Sequence, residues 1–276
     1  MRTTTVLADG FHFLEGPRWR DGKLWMSDIG AGVVFRLSPD GTRERLVEVA
    51  GSPSGLGFLP DGTPIVVSVH GRVMHRIVGN RLEPHADLRD LVSAPINDMV
   101  VDRMGRAYVG CMGYNLFEGE AHKPGCLLMV EPDGRARVVA QDLEFPNGSV
   151  ITAAGRLVVG ESFGNRLTSF AIGADGSLSD RRMDIDLGGV PDGICLDTEG
   201  GIWVAMLEQG VARVKDGKIV ERIDTGSHRA IACQLGGPDM RTLFILSFKG
   251  TTEEIGKIPG ARVETVHVDV PGAGSP

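Results

Sequence analysis

No two of the four cysteines, Cys111, Cys126, Cys195 and Cys233, form a CxxC pair or join a histidine cluster, which argues against a zinc–thiolate site. Cys195 and Cys233 sit in apolar strand-like patterns and read as core residues. No run of about 18 apolar residues is present, so no membrane span is expected. The opening Met1-Arg2-Thr3-Thr4-Thr5-Val6-Leu7 lacks the apolar stretch of a signal peptide, and a cytoplasmic location is expected. No Gly-x-Ser-x-Gly elbow supports a serine triad, and the residues around Gly113 form no phosphate loop. A basic excess is missing too. The formal net charge of −7 argues against a nucleic-acid partner and suits a small substrate, a cation or an ordinary cytosolic protein.

Glycine and proline are plentiful instead, at 39 and 15 of 276 residues, more than a helical protein of this size tolerates. Short apolar runs such as Val66-Val67-Ser68-Val69 and Leu157-Val158-Val159 lie between Gly, Pro and Asp clusters. That grammar describes many short strands joined by tight turns.

The strands repeat. Residues 16–27 read as small residue, apolar strand, Gly-containing turn, apolar strand. The phrase returns at 55–68, 98–110, 148–160 and 193–205, and in degenerate form at 232–247. The residues just before these phrases are Glu15, Ser54, Asn97, Asn147, Asp192 and Ile231, spaced by 39, 43, 50, 45 and 39 residues. A period of about 40 to 50 with four short strands per unit predicts propeller blades. The expected fold is all-β: a six-bladed β-propeller with four antiparallel strands per blade, spanning residues 1–270. The N-terminal strand, Thr3 to Leu7, is expected to close the ring beside Glu264 to Val268. Residues 271–276 are expected to form a disordered tail.

In a propeller the first strand of each blade lines the central channel, so the residues opening those strands converge at one mouth. Glu15, Asn147 and Asp192 bring three oxygen ligands and a summed charge of −2, a set suited to a hard divalent cation. Turn chemistry is the competing account of such residues. Of four Pro-Asp-Gly triplets, those at 39–41, 60–62 and 132–134 lie between strands, whereas Pro191-Asp192-Gly193 opens a blade, as Pro146-Asn147-Gly148 does. Asn97 shares the mouth as a further ligand or a substrate contact. Asp98 stands where neighbouring blades have Gly and is expected to bond backbone groups. The third unit is the longest. Its excess, Cys111 to Gly125, reads either as a lid or as a surface loop, with Tyr114, Asn115, Phe117 and His122 as candidate pocket residues. His70, at the end of a strand, faces either the channel or a structural partner.

Leu14-Glu15-Gly16-Pro17, the block Asn97 to Asp102, Phe145-Pro146-Asn147-Gly148 and the block Pro191 to Asp197 together resemble the regucalcin/gluconolactonase family of sugar lactonases, over about residues 10 to 250. The resemblance implies a six-bladed propeller holding one divalent metal (Ca, Zn, Mn, Mg or Fe) on Glu15, Asn147 and Asp192. It also implies that Asn97 faces the substrate or a metal-bound water. The animal lactonases place a sugar-contacting arginine two residues before that asparagine; here the place is Pro95. The expected substrate is therefore a sugar lactone or another small lactone, with the 111–125 loop and Tyr114 shaping the pocket. The expected activity is metal-dependent hydrolysis of the lactone to the hydroxy acid, with Asp192 as the base. Metal-dependent phosphotriester or arylester hydrolysis is the rival chemistry, and a non-catalytic metal-binding propeller is the rival from another class.

Overall fold

The computed structural model describes residues 2–274. Six four-stranded antiparallel sheets stand in a ring. The first comprises Leu14–Arg20, Lys23–Asp28, Val33–Leu37 and Arg43–Glu48. The inner strands of the next four are Pro53–Phe58, Ile96–Val101, Pro146–Ile151 and Pro191–Leu196. The sixth sheet takes Arg229–Gly236, Thr242–Phe248 and Ala261–His267 from the end of the chain and Thr5–Phe11 from its start. Closure by the N-terminal strand, which joins the two ends of the chain in one sheet, is as expected, but the strand lies later than Thr3 to Leu7. Two register shifts, between Val6 and Ala8 and between Asp9 and Phe11, let the pairing run on through Gly10 to Phe11.

The core lies between neighbouring blades. Phe11, Leu24 and Met26 pack against Phe244, Leu246 and Phe248 across the closure, where Trp19 stacks on Phe244 with ring centroids 5.2 Å apart. Trp203 of the fifth blade is buried among Cys233, Leu243 and Ile245 of the sixth. The four cysteines are free thiols, and Cys195 Sγ lies 3.8 Å from Cys233 Sγ in that core. Among the described residues no helix is long and apolar enough to cross a membrane.

The stretch expected to be a loose tail is pinned as far as it is described. Thr198 N–H donates to Pro271 O, Gly272 N–H to Met240 O and Ala273 N–H to Leu196 O. Pro271 to Ala273 thus cross from the sixth blade to the fifth. Ser275 and Pro276 lie outside the described residues.

Because strands alternate in direction, the starts of the inner strands and the loops joining each second strand to the third open on the same face. Two of those loops are long. One fills 112–124 and the other 249–260, and they belong to the third and sixth blades, opposite each other in the ring.

Candidate functional site

Glu15, Ser54, Asn97, Asn147 and Asp192 are each the second residue of an inner strand rather than the residue before it. In all five blades the pairing register breaks at this point: between Glu15 and Arg18, Pro53 and Leu56, Ile96 and Met99, Pro146 and Ser149, and Pro191 and Ile194. Such a bulge bends the strand and re-aims its side chains. All five residues are buried. The glycine that follows lets adjacent inner strands close around the channel: a Cβ on Gly148 would lie 2.6 Å from Ile194 N, and one on Gly193 2.4 Å from Ala232 Cβ. The sixth blade contributes apolar Ala230 and Ile231 instead.

The buried carboxyls repel one another. Burial pushes the Glu15 carboxyl well above its usual range, and the charges of Asp192 and Asp98 push it further. Burial and Asp98 push Asp192 up to about 8, while the neighbouring Asn147 amide pulls it back. Asp98 Oδ1 accepts from Met99 N–H at 2.8 Å and from Arg18 Nη2 at 3.1 Å. The expected backbone bond is there, with an ion pair in addition. Arg18 also donates to Pro17 O and Met99 O. Arg18 thus pairs with Asp98 and offsets Glu15 only slightly. Glu161 shows the contrast. Its burial alone would raise it, yet Arg166, the Glu144 N–H and the Thr168 hydroxyl hold it below the usual carboxylate range. Glu161 is thus a satisfied buried carboxylate, whereas Glu15 and Asp192 are not compensated in this way.

Two buried oxygens there have no hydrogen-bond partner, Asn147 Oδ1 and Asp192 Oδ1. Ser162 fixes the first of these. Its hydroxyl donates to Pro191 O at 2.8 Å, so toward Asn147 it can only accept, and it takes Nδ2–H at 3.2 Å. The Asn147 carbonyl is thereby turned away with nothing to bind. Among the described residues no three His, Cys, Asp or Glu side chains form a metal-holding group. The set here is two carboxyls and one amide, because Asp98 is committed to Arg18. Orphaned oxygens beside excess negative charge fit a hard divalent cation. Asn97 is loosely held: Oδ1 lies 3.5 Å from Ser54 Oγ and Nδ2 3.5 Å from Pro146 O, both at the outer limit of a hydrogen bond.

Tyr114 is buried with Val69, Met112 and Phe145. Its ring meets His122 edge-on at 5.4 Å and Phe145 at 6.3 Å. His122 Nε2 lies 2.8 Å from Glu144 Oε2, and His70 meets the Phe117 ring at 5.5 Å. Asn115 opens the short turn Leu116–Glu118. The 249–260 loop has no counterpart in the sequence reading. It packs over the first blade, where a Cβ on Gly30 would lie 2.4 Å from Gly256 Cα. Sequence reasoning also missed Arg18, Ser162 and the two phenylalanines flanking Asn147, Phe145 and Phe163. For Phe145 a signal existed in the Phe-Pro-Asn-Gly block.

At the other end of the channel a cavity of about 520 Å³ opens below the inner strands, lined by Arg18, Val101, Ser149, Ile151, Leu196 and Gln234 among others. The carboxylates there are spent on turns: Asp102 on Met104 N, Arg106 N and Arg106 Nε, Asp197 on Glu199 N, Gly201 N and Arg213 Nε. The unsatisfied groups are at the upper mouth.

The SMP-30/Gluconolactonase/LRE-like family model matches residues 13–249. A pentonolactonase of Haloferax volcanii is 27% identical over 262 residues, covering 91% of this chain and 86% of that protein. A 6-deoxy-6-sulfogluconolactonase of Pseudomonas putida is 28% identical over 280 residues, covering 95% and 93%. The crystal structure of a calcium-binding regucalcin from Agrobacterium tumefaciens superposes with a TM-score of 0.84 at 22% identity, over 100% of this chain and 97% of that one.

Proposed function

The chain belongs to the SMP-30/gluconolactonase/LRE-like family, and from that premise we propose that it hydrolyses a small lactone to its hydroxy acid with the help of one divalent cation. The observation that carries the reading is the pair of buried, repelling carboxyls, Glu15 and Asp192, at the channel mouth, with Asp192 Oδ1 and the neighbouring Asn147 Oδ1 both left without a hydrogen-bond partner. The names of the two relatives that are lactonases support the reaction, and the calcium-binding regucalcin supports the cation. Glu15, Asn147 and Asp192 would hold the ion. Once bound, it would supply a Lewis acid against the negative charge that develops on the lactone carbonyl oxygen.

The chain's own groups do the rest. Asn97, with both amide ends weakly engaged, orients the carbonyl or the attacking water. Asp192 Oδ1, which has no donor of its own, accepts a proton from that water as its oxygen adds to the carbonyl carbon. It returns the proton to the ring oxygen as the acyl C–O bond breaks, which leaves one carboxyl and one hydroxyl on the product. Glu15 carries the compensating negative charge. Tyr114 borders the substrate from the 111–125 loop.

A pH-indicator screen of aldono-, alkyl- and aryl-lactones tests the reading. It uses EDTA-stripped protein with Ca²⁺, Mg²⁺, Mn²⁺, Zn²⁺ or Fe²⁺ restored in turn. The expected result is acid release that depends on a restored metal and is abolished in Asp192→Ala. Normal turnover by that variant at saturating metal would overturn the assignment.

A further inference from the structure

Val69, Met112, Tyr114 and Phe145 form one apolar cluster, which the Phe163 ring extends through Phe145. Met112 N–H donates to Pro95 O at 2.9 Å and Ile96 N–H to Val69 O at 3.2 Å, which sets Val69 and Met112 beside Asn97. Ser162 N–H donates to Phe145 O at 3.0 Å and Phe163 N–H to Glu144 O at 3.1 Å. The Phe163 ring consequently lies 4.8 Å from that of Phe145, one residue after the serine that holds Asn147. Phe145 adopts φ 60 directly before a proline, a conformation disfavoured for a bulky residue and found where the surroundings demand it.

The wall has a buried base and an exposed top. Tyr114 and Phe145 are 6% and 8% exposed, whereas Phe163 and Phe117 are 45% and 53% exposed. Among the described residues these two are the exposed phenylalanines; Phe163 meets Phe145, and Phe117 meets His70, the residue after Val69. Apolar rings left in water beside a polar site mark a surface meant to be covered.

A polyhydroxylated substituent placed here would give up water without receiving hydrogen bonds from Val69, Met112, Phe145, Phe163 or Phe117, and the one hydroxyl of the wall belongs to Tyr114, which is buried. An aromatic or alkyl substituent would find stacked and edge-on ring partners.

We infer that the lactone this site takes carries an apolar, ring-bearing substituent, which packs against the wall of Val69, Met112, Tyr114, Phe145, Phe163 and Phe117. This inference rests on the lactonase reading. Three δ-lactones that share the reacting ring test it: δ-valerolactone, its phenyl-substituted derivative and D-glucono-1,5-lactone. The wild-type protein with metal restored should favour the phenyl derivative over δ-valerolactone by about tenfold in kcat/KM, mostly through KM. In Phe117→Ala/Phe163→Ala that ratio should fall to about twofold. Preference for the gluconolactone, or an unchanged ratio in the double variant, overturns the inference and leaves the lactonase reading standing. Calorimetric titration with the phenyl-substituted δ-lactam, which is not turned over, separates the two claims. Lactam binding by the wild type that is lost in the double variant, with no lactone hydrolysed, would uphold the wall and overturn the lactonase reading. Absence of both overturns both.

Discussion

Replacing Asp192 by asparagine keeps the shape of the side chain and removes its proton, so it isolates the energetic cost of the buried charge. In the metal-free protein Asp192 titrates at about 8 against an ordinary value of 3.8. Between those limits the folded protein holds a proton that the unfolded chain has released. Stability therefore falls as pH rises through the window, and the contribution is fully present below about pH 4 and gone above about pH 8. At about 1.4 kcal/mol per pKa unit, the loss is on the order of 6 kcal/mol. The raised Glu15 carboxyl acts with the same sign. His75, His85 and His228, held below 6.5 chiefly by burial, act with the opposite sign. Subtracting the wild-type curve from the Asp192→Asn curve cancels the histidines.

Urea unfolding of EDTA-stripped protein, followed by the fluorescence of the three tryptophans, measures the difference from pH 5 to pH 8.5. The variant should lead the wild type by about 1.5 kcal/mol at pH 5, and that lead should grow by several kcal/mol up to pH 8.5. A restored metal at 100 times its Kd should return about 2.7 kcal/mol to the wild type and little to the variant. Parallel curves for the two metal-free proteins would refute the claim that Asp192 is a strained, uncompensated carboxyl.

Three further perturbations separate the site from its scaffold. Ser162→Ala leaves the Pro191 carbonyl unpaired and frees the Asn147 amide; calorimetry should show a loss of about 1–3 kcal/mol and metal titration an affinity lower by about 10- to 100-fold. Arg18→Met strands the Asp98 charge and should cost about 3–5 kcal/mol in urea unfolding, most of which returns in Arg18→Met/Asp98→Asn. Gly148→Ala places a methyl 2.6 Å from Ile194 N, and the forced separation of the fourth and fifth inner strands should lower stability by about 1–3 kcal/mol in thermal unfolding.

The ring was legible in the sequence because the blades open with a recurring small-residue phrase at a period of about 40 to 50 residues, with four short strands rather than helices in each unit. The mouth residues were legible for the same reason: position in the repeat distinguishes Asp192 from Asp40, Asp61 and Asp133 in identical triplets. What aims those side chains was not legible. A bulge after the second strand residue is a change of pairing partner, and partner choice leaves no mark on a single strand's composition. Asp98 was half legible, since its bond to Met99 N–H is local while its partner Arg18 is 80 residues away. Ser162 was hidden similarly, as an ordinary serine at a strand end until folding brings Asn147 and Pro191 to it. The 249–260 loop carries no aromatic residue to draw attention, and the closing strand ran past its expected end because bulges carry it through Gly10.

The central claim is that the channel mouth holds one divalent cation on oxygens from three blades. An anomalous difference map from crystals grown with Zn²⁺, collected at the zinc edge, tests it most directly. The account predicts one strong peak within about 2.0–2.2 Å of carboxylate oxygens of Glu15 and Asp192 and of Asn147 Oδ1, and none at that place in Asp192→Ala. An empty mouth, or a peak bound only elsewhere on the protein, would contradict it.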